Sequence, residues 1–118
     1  MKARGPKNTP DLSAIQTHAG EAARLLKTLA NENRLQVLCL LAAGERPVGE
    51  INKLLDLTQS ALSQHLAVLR EEKLVRTRRQ AQSIHYSLAP GPAATVMKAL
   101  HDIYCSPATP RSRNKAGT

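Results

Sequence analysis

A mainly helical fold carrying one β-hairpin is predicted by three features of this 118-residue chain. Apolar residues recur at helical spacing through four consecutive segments and again near the C-terminus. Two short segments of alternating character stand between the fourth and fifth of these. The chain has two tyrosines and no Phe or Trp, so Leu, Ile, Val and Ala must build its core, and such side chains suit packed helices.

The first helix is expected from about Leu12 to Leu29, with Ile15, Ala19, Ala22, Leu25, Leu26 and Leu29 at helical spacing. Asn31 reads as the N-cap of a second helix, Glu32 to Ala43, which Gly44 ends. Its stripe of Leu35, Leu38, Cys39 and Ala42 is widened by Leu40 and Leu41, so most of its sides are buried. A short third helix, Val48 to Leu55, turns Val48, Ile51, Leu54 and Leu55 inward. Asp56 and Leu57 form a turn, and Thr58 caps a fourth helix from about Gln59 to Glu72. Leu74 to Arg79 and Ser83 to Leu88 are the two strands, joined through Gln80 to Gln82, with Ile84, Tyr86 and Leu88 on one face. After Pro90 and Pro92, a last helix from about Ala93 to Tyr104 aligns Val96, Met97, Leu100, Ile103 and Tyr104.

The order α-α-α-α-β-β-α contains a short helix, a turn, a longer helix and a hairpin. That is the winged helix-turn-helix pattern. One domain, residues 11–105, is expected between a basic disordered arm, 1–10, and a basic disordered tail, 106–118, both rich in Pro and small polar residues. The arm lacks the apolar stretch of a secretory signal, and no apolar run is long enough to span a membrane. A cytoplasmic protein is therefore expected, and two cysteines in that reducing compartment are not a structural disulfide framework.

The net charge of +8 favours a polyanion, nucleic acid first and an anionic membrane surface second. The fourth helix decides between them. Leu62, Leu66, Leu69, Val68 and Ala61 share one arc, while Gln59, Ser60, Ser63, Gln64 and Arg70 occupy the other around the small Ala67. An ordinary solvated face carries Lys and Glu; this one is almost uncharged. Gln bonds adenine in bidentate fashion, Ser donates or accepts, and small residues admit close approach, so the face suits the major groove of double-stranded DNA. Thr58, at the helix start, joins this set of DNA-contacting residues. His65 falls on the apolar arc and is expected to be packed and hydrogen-bonded to a neighbouring helix. On the hairpin, Arg76, Arg78 and Arg79 are placed to meet phosphates or the adjacent minor groove, with Arg76 and Arg78 on one face. The same arginines also suit a charged edge strand that resists aggregation.

The strings Leu26-Lys-Thr-Leu-Ala-Asn-Glu-Asn-Arg-Leu35, Val48-Gly-Glu-Ile51 and Gln59-Ser-Ala-Leu-Ser-Gln-His-Leu-Ala-Val-Leu-Arg70 resemble the ArsR/SmtB family from about Leu25 to Cys105. The resemblance implies a homodimer built on the first and last helices, an inverted-repeat operator, and repression lifted by an inducer. Many members of that family sense metals. Here Val48-Gly49-Glu50 replaces their Cys-x-Cys motif, and the last helix offers only His101 and Asp102, short of the four ligands a tight site needs. No metal ligand set and no cofactor are therefore expected.

Cys39 and Cys105, with Gln36-Val-Leu-Cys39, Arg79-Gln-Ala-Gln-Ser83 and Ile103-Tyr-Cys105, are similar to the HlyU/BigR/SqrR branch. That likeness implies redox sensing: reactive sulfur species or oxidants link the two thiols through a disulfide or polysulfide, and DNA affinity falls. Taken alone, Cys39 on its apolar stripe reads as a small packed hydrophobe, and Cys105 alone as an idle tail thiol. Departures from the family pattern are Lys73 where Gly often precedes the first strand, a hairpin without Gly, and Pro47 where a capping Ser or Thr is common.

Four alternatives bear on function. They are a metal-responsive or ligand-independent regulator, an anti-repressor that activates virulence-type genes, an RNA-binding protein and a thiol enzyme. RNA recognition uses exposed aromatics, whereas both tyrosines here lie on apolar stripes. No catalytic residues are assigned, because no Cys stands in a His and acid constellation and no phosphate-binding loop is present.

Overall fold

A computed structural model describes residues 10–105. The expected arm and tail therefore lie almost wholly outside the described residues. The elements are α1 (Ser13–Leu29), α2 (Glu32–Ala43), β1 (Arg46–Pro47), α3 (Val48–Leu54), α4 (Gln59–Glu71), β2 (Val75–Gln80), β3 (Ser83–Leu88) and α5 (Pro92–Tyr104). The three strands form one antiparallel sheet in the order β1-β3-β2.

α2 is the central helix, packed against α1, α4, α5 and β3. It starts because the Asn31 side chain accepts from the backbone N–H groups of Asn33 and Arg34, both at 3.0 Å, which satisfies two otherwise orphaned donors. It stops at Gly44, whose φ of +153° disfavours any β-carbon. Leu38, Val37 and Leu41 of α2, Ile51 of α3, and Leu62, Leu66 and Leu69 of α4 form the core with Val75, Tyr86 and Met97. Val37 lies outside the expected apolar stripe, yet it is fully buried because neighbours surround α2 on several sides.

Most boundaries fall within one residue of expectation. The exceptions have local causes. β1 was not anticipated: two residues show no alternation, and Pro47 cannot donate to a ladder. The hairpin connection narrows to Ala81 and Gln82, because Gln80 and Ser83 already pair. Leu54 was expected inside but is 54% exposed. α3 ends there and Leu55 is extended (φ −109°, ψ 143°), so Leu55 rather than Leu54 turns back toward the core.

Two positions where glycine is common hold other residues in the left-handed region, Lys73 at φ 63° and Ala81 at φ 57°. At Lys73 the conformation closes α4 with a Schellman-type pair, Leu74 N–H to the Leu69 carbonyl and Lys73 N–H to the Arg70 carbonyl, both at 2.9 Å.

The apolar stripes of α1 and α5 are only partly covered. Leu29 and Met97 are buried, while Leu12, Ile15, Leu26, Ile103 and Tyr104 are exposed. Tyr104 was expected to pack within its stripe. At the very end of α5 the single chain puts too little against it.

Candidate nucleic-acid interface and thiol pair

α4 sits against the core through Leu62, Leu66 and Leu69, all at most 2% exposed. That anchoring turns Gln59, Ser60, Ser63, Gln64, Ala67 and Arg70 outward, and every one of them is exposed. The helix starts where Thr58 Oγ1 accepts from the Ala61 backbone N–H at 3.0 Å. Its angle to α3 is held by Asn52, whose Nδ2 donates to the Leu57 carbonyl at 3.1 Å. At its far end Glu72 accepts two hydrogen bonds from Arg24 of α1, both at 2.9 Å. Those bonds hold the Glu72 carboxyl below the usual carboxylate range.

Gln59, Ser63, Ala67 and Arg70 line one wall of an open cleft of about 470 Å³, with Gln82 and Ser83 of the hairpin facing them. Thr58, Ser60 and Gln64 lie outside that wall on the same exposed helix start. The strand register sorts the hairpin arginines. Residues directly opposite in an antiparallel pair share a face. Arg79 is opposite Ile84 and so lies on the face of Tyr86 and Leu88 that packs toward the core. Arg76 and Arg78 are opposite Ser87 and His85 on the outer face, which agrees with the expectation that these two share a face.

Arg78 is already engaged. Its Nε and Nη2 donate to Glu45 Oε2 and Oε1 at 3.1 and 2.6 Å. Those hydrogen bonds hold Glu45 below the usual carboxylate range and raise Arg78 further. Among the described residues no ion pair engages Arg70, Arg76 or Arg79. Sequence reasoning missed Glu45 and Asn52. Neither lies in a motif, and Glu45 meets a residue 33 positions away. His65 is half-buried, as its arc suggests, but the expected hydrogen bond to a neighbouring helix is not found among the described residues. The ring fills space rather than joining a polar network.

The thiols meet between α2 and α5. Cys39 is half-buried, Cys105 is exposed, and both are free. They line an apolar cleft of about 230 Å³ together with Leu35, Met97, Leu100 and Tyr104. Burial first, then the electrostatic influence of the Cys105 thiol, pushes Cys39 above the ordinary thiol range. Among the described residues no cluster of three or more His, Cys, Asp or Glu gathers as a metal site would require. No described helix is long and apolar enough to cross a membrane.

Residues 31–77, from the cap of α2 into β2, match the family model described as bacterial regulatory protein, arsR family. The chain is 45% identical over 95 residues to the transcriptional activator HlyU of Vibrio cholerae, covering 80% of this chain and 88% of that protein. The chain belongs to the ArsR family. It is thus a transcriptional regulator, and its structural neighbours bear out the winged helix-turn-helix architecture. The reduced HlyU structure from Vibrio cholerae superposes with a TM-score of 0.76 over 80% of this chain and all of that one. This ArsR-family chain is also 50% identical over 96 residues to the biofilm growth-associated repressor of Agrobacterium fabrum, covering 81% and 82% of the two proteins. A homodimeric winged helix-turn-helix domain from Mycobacterium bovis, at 31% identity, aligns with a TM-score of 0.65 over 82% of this chain and 88% of that one.

Proposed function

We propose that this ArsR-family regulator binds an inverted repeat in promoter DNA as a homodimer and represses transcription until Cys39 and Cys105 are linked. One observation carries the DNA reading: α4 exposes a neutral, small-residue face beside a hairpin whose Arg76 and Arg79 form no ion pair among the described residues. Gln59, Ser60, Ser63 and Gln64 reach base edges in the major groove. Thr58, Arg70, Arg76 and Arg79 position the protein on phosphates. Arg78, expected to join them, is committed to Glu45. The second subunit covers the exposed apolar residues of α1 and α5 and sets two α4 helices about 34 Å apart, one duplex turn.

The adjacent thiols supply the switch. One thiol attacks a polysulfide sulfur, becomes a persulfide and releases hydrogen sulfide. The other then attacks that persulfide, closing a disulfide and releasing a second hydrogen sulfide. Two electrons pass to the polysulfide, and each thiol loses its proton. A longer polysulfide can leave extra sulfur in the bridge. The link ties α5, an interface helix, to α2 and changes the spacing of the recognition helices. The relative named an activator supports a second reading, in which binding displaces another repressor.

A gel shift on the protein's own upstream region, with and without polysulfide, tests this reading. The native protein binds, polysulfide releases it, and mass spectrometry finds Cys39 joined to Cys105. Cys39→Ser binds and no longer responds. Release of that variant by polysulfide contradicts the dithiol switch. A reporter that falls when the protein is deleted favours the second reading over repression.

A further inference from the structure

We infer that Glu45 masks the Arg78 charge, so that the hairpin meets DNA with two effective arginines rather than three. The inference rests on the DNA reading above and refines how its wing works. Pro47 of β1, His85 of β3 and Arg78 of β2 stand in one row across the sheet. Glu45 precedes that row by two residues, in the connection between α2 and β1. The Glu45 and Arg78 side chains therefore meet over β3, which separates β1 from β2 by two strand spacings, roughly 10 Å. His85 lies close enough to act on the same carboxylate.

The pairing is bidentate, with both oxygens used, at 2.6 and 3.1 Å. Such a fork fixes the guanidinium plane as well as its charge. The pair remains solvent-accessible, with side chains 52% and 34% exposed, so a phosphate can approach it. Approach alone does not release counterions, because the pair as a unit carries no net charge. A phosphate that draws Arg78 away is left beside the Glu45 carboxylate. Affinity for any duplex depends on the number of phosphates neutralised, each worth about 0.9 in the slope of log K against log salt. Arg76, on the same outer face and in no ion pair among the described residues, counts toward that number, and Arg78 does not.

The test is the salt dependence of binding to a random-sequence duplex, measured by fluorescence anisotropy on the full chain. Glu45→Gln frees Arg78. It tightens random-duplex binding several-fold at low salt and steepens the slope by about 0.9 per subunit. Arg78→Gln in the native background leaves the slope unchanged, and the double variant Glu45→Gln/Arg78→Gln returns to the native slope. Arg76→Gln flattens it by about 0.9 per subunit and serves as the reference for an unmasked wing charge. A native-like slope for Glu45→Gln, or a flattened one for Arg78→Gln, overturns the inference. If either occurs while Arg76→Gln behaves as stated, the DNA reading stands and only the masking falls. A native protein that binds no duplex at all overturns both.

Discussion

The α4–hairpin surface and the thiol cleft are built on one core and have opposite chemistry. The first exposes side chains that a duplex can pair with, Gln59, Ser63 and Arg70, around a cleft of about 470 Å³. The second is half the size, about 230 Å³, and apolar apart from its rim, with its two sulfurs drawn from distant parts of the chain. On the proposed reading, that contrast separates recognition from its control. A surface that reads DNA needs exposed hydrogen-bonding groups that cost the fold little. A switch needs groups whose linkage moves packed helices, and it therefore has to reach into the core.

Three experiments probe that contrast. The largest effect is expected from Met97→Ala. Met97 is 4% exposed and forms the floor of the thiol cleft, so truncation should lower unfolding free energy by about 2–5 kcal/mol in a denaturant titration. A neutral result there would mean that the cleft is not tied to the core. Next comes thiol reactivity. Cys105 is exposed, and Cys39 is half-buried with its thiol held up in the protonated form. In timed alkylation near neutral pH, Cys105 should therefore be modified severalfold faster, and Cys39 should gain on it as pH rises. Equal rates at neutral pH would mean that Cys39 is no better shielded than Cys105.

The smallest effect is acid lability. The Arg78 and Arg24 hydrogen bonds hold Glu45 and Glu72 below the ordinary carboxyl value of 4.5. Each carboxylate is favoured by the folded state, so its contribution is fully present above that value and is lost as pH falls through the depressed folded value. Both pairs are exposed, so the loss is shallow and weakens with salt. Glu45→Gln should flatten it slightly in thermal melts taken below pH 5. An unchanged acid limb in that variant would mean that Arg78 does not hold this carboxylate in solution.

Much of the proposed recognition surface was legible in the sequence, because α4 obeys a single period. Leu62, Leu66 and Leu69 fix the buried side, and everything opposite must face out. Asn31 and Thr58 were legible as caps for an equally local reason, since each bonds a backbone N–H within three residues. The failures are all nonlocal or too short to carry a pattern. β1 has two residues. Leu54 is turned outward by the end of a seven-residue helix. Glu45, in the connection before β1, finds Arg78 of β2 only through the sheet order β1-β3-β2. The thiol pair was reached through likeness to a family rather than through spacing, and the cleft between α2 and α5 now gives it a physical basis.

Base readout by α4 is tested by the ratio of affinities for the upstream operator and a shuffled duplex of the same length, at one stated salt concentration, for the native protein and for Gln59→Ala/Ser63→Ala. A good base contact carries about 1–3 kcal/mol of discrimination, and exposed substitutions change stability by about 0.5 kcal/mol or less. The account predicts a double variant as stable as the native protein, with operator affinity reduced at least tenfold and shuffled-duplex affinity nearly unchanged. Equal losses on both duplexes, or an operator preference that survives the double substitution, would contradict it.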